Sequence, residues 1–143
     1  MRYRELDAQE RVLALDLVWR VFLDYEAPDY GEQGVAEFER SLHDPGFVSA
    51  LRWYGAFAGD ALIGVIATRS EDSHVALFFV EGPYQRQGVG RALFELVVRD
   101  NTTGSITVNS SPYAVPIYHR LGFVDTDSEQ VTNGLRYTPM RCF

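Results

Sequence analysis

Cysteine is nearly missing from this 143-residue chain. With Cys142 alone, no intrachain disulfide can form and no cysteine cluster can hold a metal. Long apolar runs are also missing, and none approaches the roughly 20 residues of a membrane span. The segment Met1-Arg2-Tyr3-Arg4-Glu5-Leu6-Asp7 carries charge where a signal peptide needs an apolar core, so a cytoplasmic location is expected. Basic charge is in short supply: thirteen basic residues face twenty acidic ones, for a formal net charge of −7. That balance disfavours non-specific nucleic-acid binding and favours cationic partners. The chain lacks both a Gly-x-x-x-x-Gly-Lys-Ser/Thr loop and a six-residue Gly-x-Gly-x-x-Gly run, which argues against a nucleotide-phosphate enzyme.

What is present is an ordinary globular composition, 46% hydrophobic and 23% charged, in a length that suits one domain. Asp7 and Glu10 have the form of a capping box ahead of the apolar run Val12 to Leu23, which predicts a long helix with little exposed surface. Val35, Phe38 and Leu42 predict a second helix ending near Asp44-Pro45-Gly46. Leu51–Ala58 and Ala61–Arg69 read as a hairpin about Gly59-Asp60, and His74–Val80 as a third antiparallel strand. Residues 90–100 carry a helical stripe, and Ser105–Asn109 is a strand that must run parallel to His74–Val80. Ser111-Pro112 starts a short helix from Tyr113 to Leu121 that Gly122 ends, and Asn133-Gly134 turns the last two strands. The expected fold is a mixed α/β sheet of about six to seven strands with about four helices.

The stretch Val80-Glu81-Gly82-Pro83-Tyr84-Gln85-Arg86-Gln87-Gly88-Val89-Gly90 joins the central strand to a helix. Closely spaced glycines and a helix N-terminus make an anion cradle, for which a phosphate-bearing cofactor is the natural occupant. On this segment alone, the glycines fit a merely structural turn equally well. Between the first two helices, Tyr25, Glu26, Asp29, Tyr30 and Glu32 either receive an ammonium-bearing substrate or form a solvated acidic loop with tyrosines packed on the core.

Two patterns decide between the readings. Gln85-Arg86-Gln87-Gly88-Val89-Gly90 fits Gln/Arg-x-x-Gly-x-Gly/Ala, and Ala114 with Tyr118-His119-Arg120-Leu121-Gly122-Phe123 fits Ala-x-x-x-Tyr-x-x-x-Gly-Phe. With the element order, they make the chain resemble the GNAT superfamily of acetyl-CoA-dependent N-acyltransferases along its whole length. The resemblance implies acetyl-CoA as cosubstrate, no metal, a small-molecule or peptide amine as acceptor, no nucleic-acid or membrane partner, and allows a homodimer. It implies that the amides of Arg86, Gln87, Gly88, Val89 and Gly90, with Gln85 and Arg91, hold the pyrophosphate. The central strand should splay from its parallel neighbour at a bulge near Phe79-Val80, the Val80 N–H then bonding the thioester carbonyl. Asn109 and Ser111 are the further candidate cofactor contacts, Ser111 standing where many members have asparagine. Tyr118 matches the family's general acid, and a phenol is a suitable proton donor to a departing thiolate. His74 is the leading general base, since strand alternation places it on one face with Ala76, Phe78 and Val80. It can equally be a partly exposed strand-end residue. Glu71, Asp72 and Glu81 are fallback bases. A non-catalytic acyl-CoA-binding module is the alternative function.

Overall fold

A computed structural model describes residues 1–143. Strands β1 (Arg2–Glu5), β2 (Arg52–Ala58), β3 (Ala61–Arg69) and β4 (His74–Val80) pair antiparallel in sequence order. Between β1 and β2 run helix α1 (Arg11–Tyr25), a 3₁₀ turn at Ala27–Asp29, and helices α2 (Glu32–Leu42) and α3 (Pro45–Ser49). After β4 come α4 (Val89–Asp100), β5 (Ile106–Ser110), α5 (Val115–Leu121), β6 (Val124–Asp125), β7 (Gln130–Thr132) and β8 (Leu135–Cys142). The sheet order is β1-β2-β3-β4-β5-β8-β6, with β7 also paired to β8.

The additional helix arises at Asp44-Pro45-Gly46, which does more than stop α2. The Asp44 carboxylate accepts the amides of Gly46 and Phe47, and Pro45 occupies the first turn, so the same residues start α3. The capping box forms as expected, with Glu10 N–H donating to Asp7 at 2.9 Å and Asp7 N–H donating to Glu10 at 3.0 Å. Helix α1 is less enclosed than its composition predicts. Ala14, Leu17, Val18, Val21 and Phe22, spaced for one face, are buried, while Val12, Leu13 and Leu23 are exposed. Helix α5 starts at Val115 rather than Tyr113, because Ser111 Oγ accepts the Ala114 N–H one turn earlier.

Two cores sandwich the sheet. Helices α4 and α5 cover Tyr54, Ile66, Val75 and Val108 on one face. Helices α1 and α2 cover Trp53, Val65, Leu77 and Phe79 on the other. Val75 therefore lies on the opposite face from Leu77 and Phe79, although all three are odd-numbered. The β3–β4 register explains this: Ala67 is opposite Leu77 while Thr68 is opposite Val75, leaving Ala76 as an extra residue. The bulge is thus at Ala76 rather than near Phe79-Val80, and it puts His74 out of phase with Phe78 and Val80.

Candidate active site

Parallel strands β4 and β5 pair only at His74–Thr107 and Val75–Val108, and beyond that point they part. Which groups of β4 face the gap follows from the ladder. Glu81 N–H donates to Ile63 C=O at 2.9 Å, and Ile63–Glu81 and Val65–Phe79 are then the hydrogen-bonded pairs with β3. Phe78 and Val80 consequently aim their N–H and C=O groups away from β3, into the gap. The Val80 carbonyl accepts from the Gln85 side chain at 2.9 Å, and Gln85 accepts from the Tyr113 hydroxyl at 2.9 Å, tying the open end of β4 to the segment before α5. The Val80 N–H is left free.

Below the gap lies the glycine turn. The first backbone donation of α4 is Ala92 N–H to Gly88 C=O, at 3.0 Å, and the amides of residues 86 through 91 have no protein acceptor. Gly88 has φ +84° with open space around it, so glycine is required there by backbone conformation rather than by crowding. A cavity of about 620 Å³ opens on this turn, lined by Val80, Gln85, Arg86, Gly88, Gly90, Arg91 and Arg120 among others. Three arginines at its rim and six unpartnered amides fit a phosphate-bearing group, despite the net negative charge of the chain. Arg91 also donates to the Arg120 carbonyl at 2.9 Å, tying α4 to α5. The Gln87 side chain turns back to Pro83 C=O, and Val89 is packed into the core.

A second cavity of about 350 Å³ adjoins the first, walled by Tyr30, Glu37, Phe38, Asn109, Ser111 and the tip of the β7–β8 hairpin. The hairpin is pressed against α2: a side chain at Gly134 would stand 2.6 Å from the Gly34 amide nitrogen, and one at Gly34 would strike the Gly134 carbonyl. Tyr30 OH donates to Arg136 C=O at 3.3 Å, and the Arg136 guanidinium donates to Asp29 C=O at 3.2 Å. The second cavity is therefore bounded on the hairpin side by backbone-to-backbone contact, which fixes that wall.

Only Glu26, Phe78, Phe79, Ala114 and Tyr118 line both cavities. Tyr118 is buried, set edge-on to Phe123 at 5.2 Å and tilted against Phe78 at 5.9 Å. Burial, with a smaller effect of the Glu26 charge, pushes its phenol above the usual tyrosine range. Glu26 caps the C-terminus of α1, its N–H donating to Phe22 C=O at 2.9 Å. Burial raises its carboxyl to about 7, the Ser111 hydroxyl works in the opposite direction, and Asp29 adds a further upward push.

The other sequence-predicted residues separate. Asn109 and Ser111 line the second cavity rather than the first. His74 lines neither. Its Nδ1 lies 2.8 Å from Thr107 Oγ1, and burial together with the Arg69 charge lowers it to about 4. Glu71, Asp72 and Glu81 are also outside both cavities; Asp72 is buried among donors and Glu81 pairs with Arg20 at 3.0 Å. Glu26, which the sequence offers only as one carboxylate of a loop, is the acid that the fold carries to the junction.

A family profile described as an acetyltransferase (GNAT) domain matches residues 26–143. Among curated proteins, none is significantly similar in sequence. Solved structures share the fold at low identity. A GCN5-related N-acetyltransferase from Rhodopseudomonas palustris superposes with a TM-score of 0.84 at 17% identity, over 99% of this chain and 94% of that one. The PaiA N-acetyltransferase from Thermoplasma acidophilum, solved with coenzyme A, gives 0.75 at 14% identity, over 99% and 97%. The ribosomal-protein-S18-alanine N-acetyltransferase from Escherichia coli gives 0.67 at 16% identity, over 99% and 92%.

Proposed function

Because the chain belongs to the GNAT acetyltransferase family, we propose that it moves an acetyl group from acetyl-CoA directly to a primary amine, the acceptor being a small cationic molecule or peptide. The observation that carries this reading is the meeting of two cavities at Tyr118, one opening on unpartnered amides and arginines, the other lined by aromatic rings. The amides of residues 86 through 91, with Arg86 and Arg91, would hold the pyrophosphate. The gap between β4 and β5 would take the arm of acetyl-CoA, with the thioester carbonyl near the free N–H of Val80. That amide is an oxyanion donor, aimed before reaction at the oxygen that gains charge.

Tyr118 is the general acid, protonating the sulfur as it leaves. A raised phenol pKa keeps the proton in place until the thiolate demands it. On the acceptor side, Tyr30, Phe38 and Phe79 offer ring surface to the body of a cation, and the hairpin wall favours a small molecule over a long peptide. His74 is separated from this chemistry by the Ala76 bulge, and a proton could reach it only through intervening groups.

Thiol release from acetyl-CoA across a panel of primary amines tests the reading. At least one amine should accelerate release, and Tyr118→Phe should lower turnover by about 10²-fold while leaving acetyl-CoA affinity nearly unchanged. Tight binding of acetyl-CoA with no amine-dependent release would instead make the protein an acyl-CoA-binding module.

A further inference from the structure

We infer that Glu26 is the general base of the transfer, taking the ammonium proton of the acceptor where the two cavities meet. This deepens the acetyltransferase reading and rests on it. Three observations converge. Glu26 is the only carboxylate that lines both cavities, beside Tyr118. It is buried and forms no ion pair, whereas the other carboxylate of the acceptor cavity, Glu37, is held as an anion by Arg40 at 2.6 Å. Finally, Ser111, whose Oγ accepts the Ala114 N–H, still has its own proton to offer the Glu26 carboxylate.

The surroundings keep Glu26 poised between its two forms. From its own segment Asp29 and Tyr30 face it, Asp29 opposing its ionisation. From the segment around α5, Ser111, Tyr113 and Tyr118 face it, and of these Ser111 favours its ionisation. The nearest cations are set back: Arg136 across the acceptor cavity is paired with Glu129 at 3.2 Å, and Arg86, Arg91 and Arg120 ring the other cavity, where phosphates would engage them. A carboxylate buried in this way, ionising near 7, has the basicity to deprotonate an ammonium group and then return the proton to water near neutral pH.

The step balances as follows. The ammonium gives one proton to Glu26, and the freed nitrogen lone pair forms the N–C bond to the thioester carbonyl. The C–S bond breaks, the sulfur takes the Tyr118 proton, and the phenolate recovers a proton from the acylated nitrogen. The products are an amide, a thiol, and one proton on Glu26 that passes to solvent. Neutralising Glu26 also removes one of the two influences holding the Tyr118 phenol high. The base thus strengthens the acid before the acid is needed.

The test compares wild type, Glu26→Gln and Glu26→Asp on two acceptors, an alkylamine that is protonated at neutral pH and an alkoxyamine that is already neutral. Wild-type kcat/KM for the alkylamine should fall on an acidic limb near neutral pH. Glu26→Gln should lose that limb and about 10²-fold in rate, with a much smaller loss on the alkoxyamine and with acetyl-CoA binding intact. Glu26→Asp, which keeps a carboxyl, should keep the limb at reduced rate, and it carries the test should the glutamine variant fail to fold. Equal losses on both acceptors, or a Glu26→Gln profile that retains the wild-type limb, overturn the assignment. If no amine accelerates thiol release by the wild-type protein, the acetyltransferase reading itself is overturned.

Discussion

Glu26 shows how much a single side chain owes to distant parts of the chain. It stands at a helix end in a segment rich in carboxylates, and nothing local marks it out from Asp29 or Glu32. Its burial comes from Ser111 and Tyr118, more than eighty positions away. That burial has a cost in stability, with a sign that can be measured. An unfolded glutamate ionises near 4.3, whereas the folded carboxyl ionises at about 7, so between these values the native state holds a proton that the unfolded chain has released. Stability is therefore full below about pH 4 and declines as pH rises through 7, by a quantity of order 4 kcal/mol. Glu26→Gln should unfold with a larger free energy than wild type at pH 8 and a similar one near pH 4, as read from urea titrations at both values. A difference independent of pH would mean that the carboxyl ionises normally. Tyr118, by contrast, is legible from its spacing to Gly122 and Phe123. His74 is legible only as a position: period-two alternation assigns its face, and the bulge reverses that assignment.

At the scale of elements, β4 and the turn after it organise the site. The strand–turn–helix was readable from the apolar run, the glycines and the helical stripe. The bulge was not, because His74–Val80 is apolar nearly throughout and Ala76 carries no turn residue to betray it. The ladder makes a direct prediction for hydrogen exchange. Glu81 and Phe79 amides are bonded to β3 and should exchange slowly in the free protein, while the Val80 amide should exchange quickly and become protected on adding acetyl-CoA. If Val80 is as slow as its neighbours in the free protein, it is not an available donor. Asn133-Gly134 was an equally plain turn signal, and both residues adopt positive φ, +52° and +81°. Its seat against Gly34 was not foreseeable, since a glycine within a helix pattern says nothing of what approaches it.

The whole molecule divides at the gap, with β1 to β4 on one side and β5 to β8 on the other. The closed end of the gap is reinforced. Thr107 N–H donates to Ser73 C=O at 2.8 Å, and the Asn101 side chain donates to Asp72 C=O at 3.0 Å. Ser70, Glu71 and Asp72 all adopt left-handed conformations, with φ of 56°, 59° and 61°, which is uncommon for residues with side chains. The Asp72 carboxylate holds that turn by accepting from Tyr54 at 2.9 Å, Thr68 at 2.7 Å and Arg52 at 2.9 Å. Asp72→Ala should cost about 3 kcal/mol, since it leaves buried donors unanswered. Below the new melting temperature it should leave turnover unchanged, because the turn is far from Tyr118 along the strand. Loss of turnover without loss of stability would contradict this division of labour.

The parted strands also leave two unpaired edges inside the sheet, where an ordinary sheet has none. An edge of free N–H and C=O groups invites another extended chain, and exposed edges are where β-proteins aggregate. An amide-bearing arm lying in the gap would occupy the place of a strand, so on the proposed reading the cosubstrate completes the architecture as well as feeding the reaction. Ligand at a hundred times its dissociation constant adds about 2.7 kcal/mol to the folded state. The lifetime of this protein would then rise and fall with the supply of the molecule it consumes.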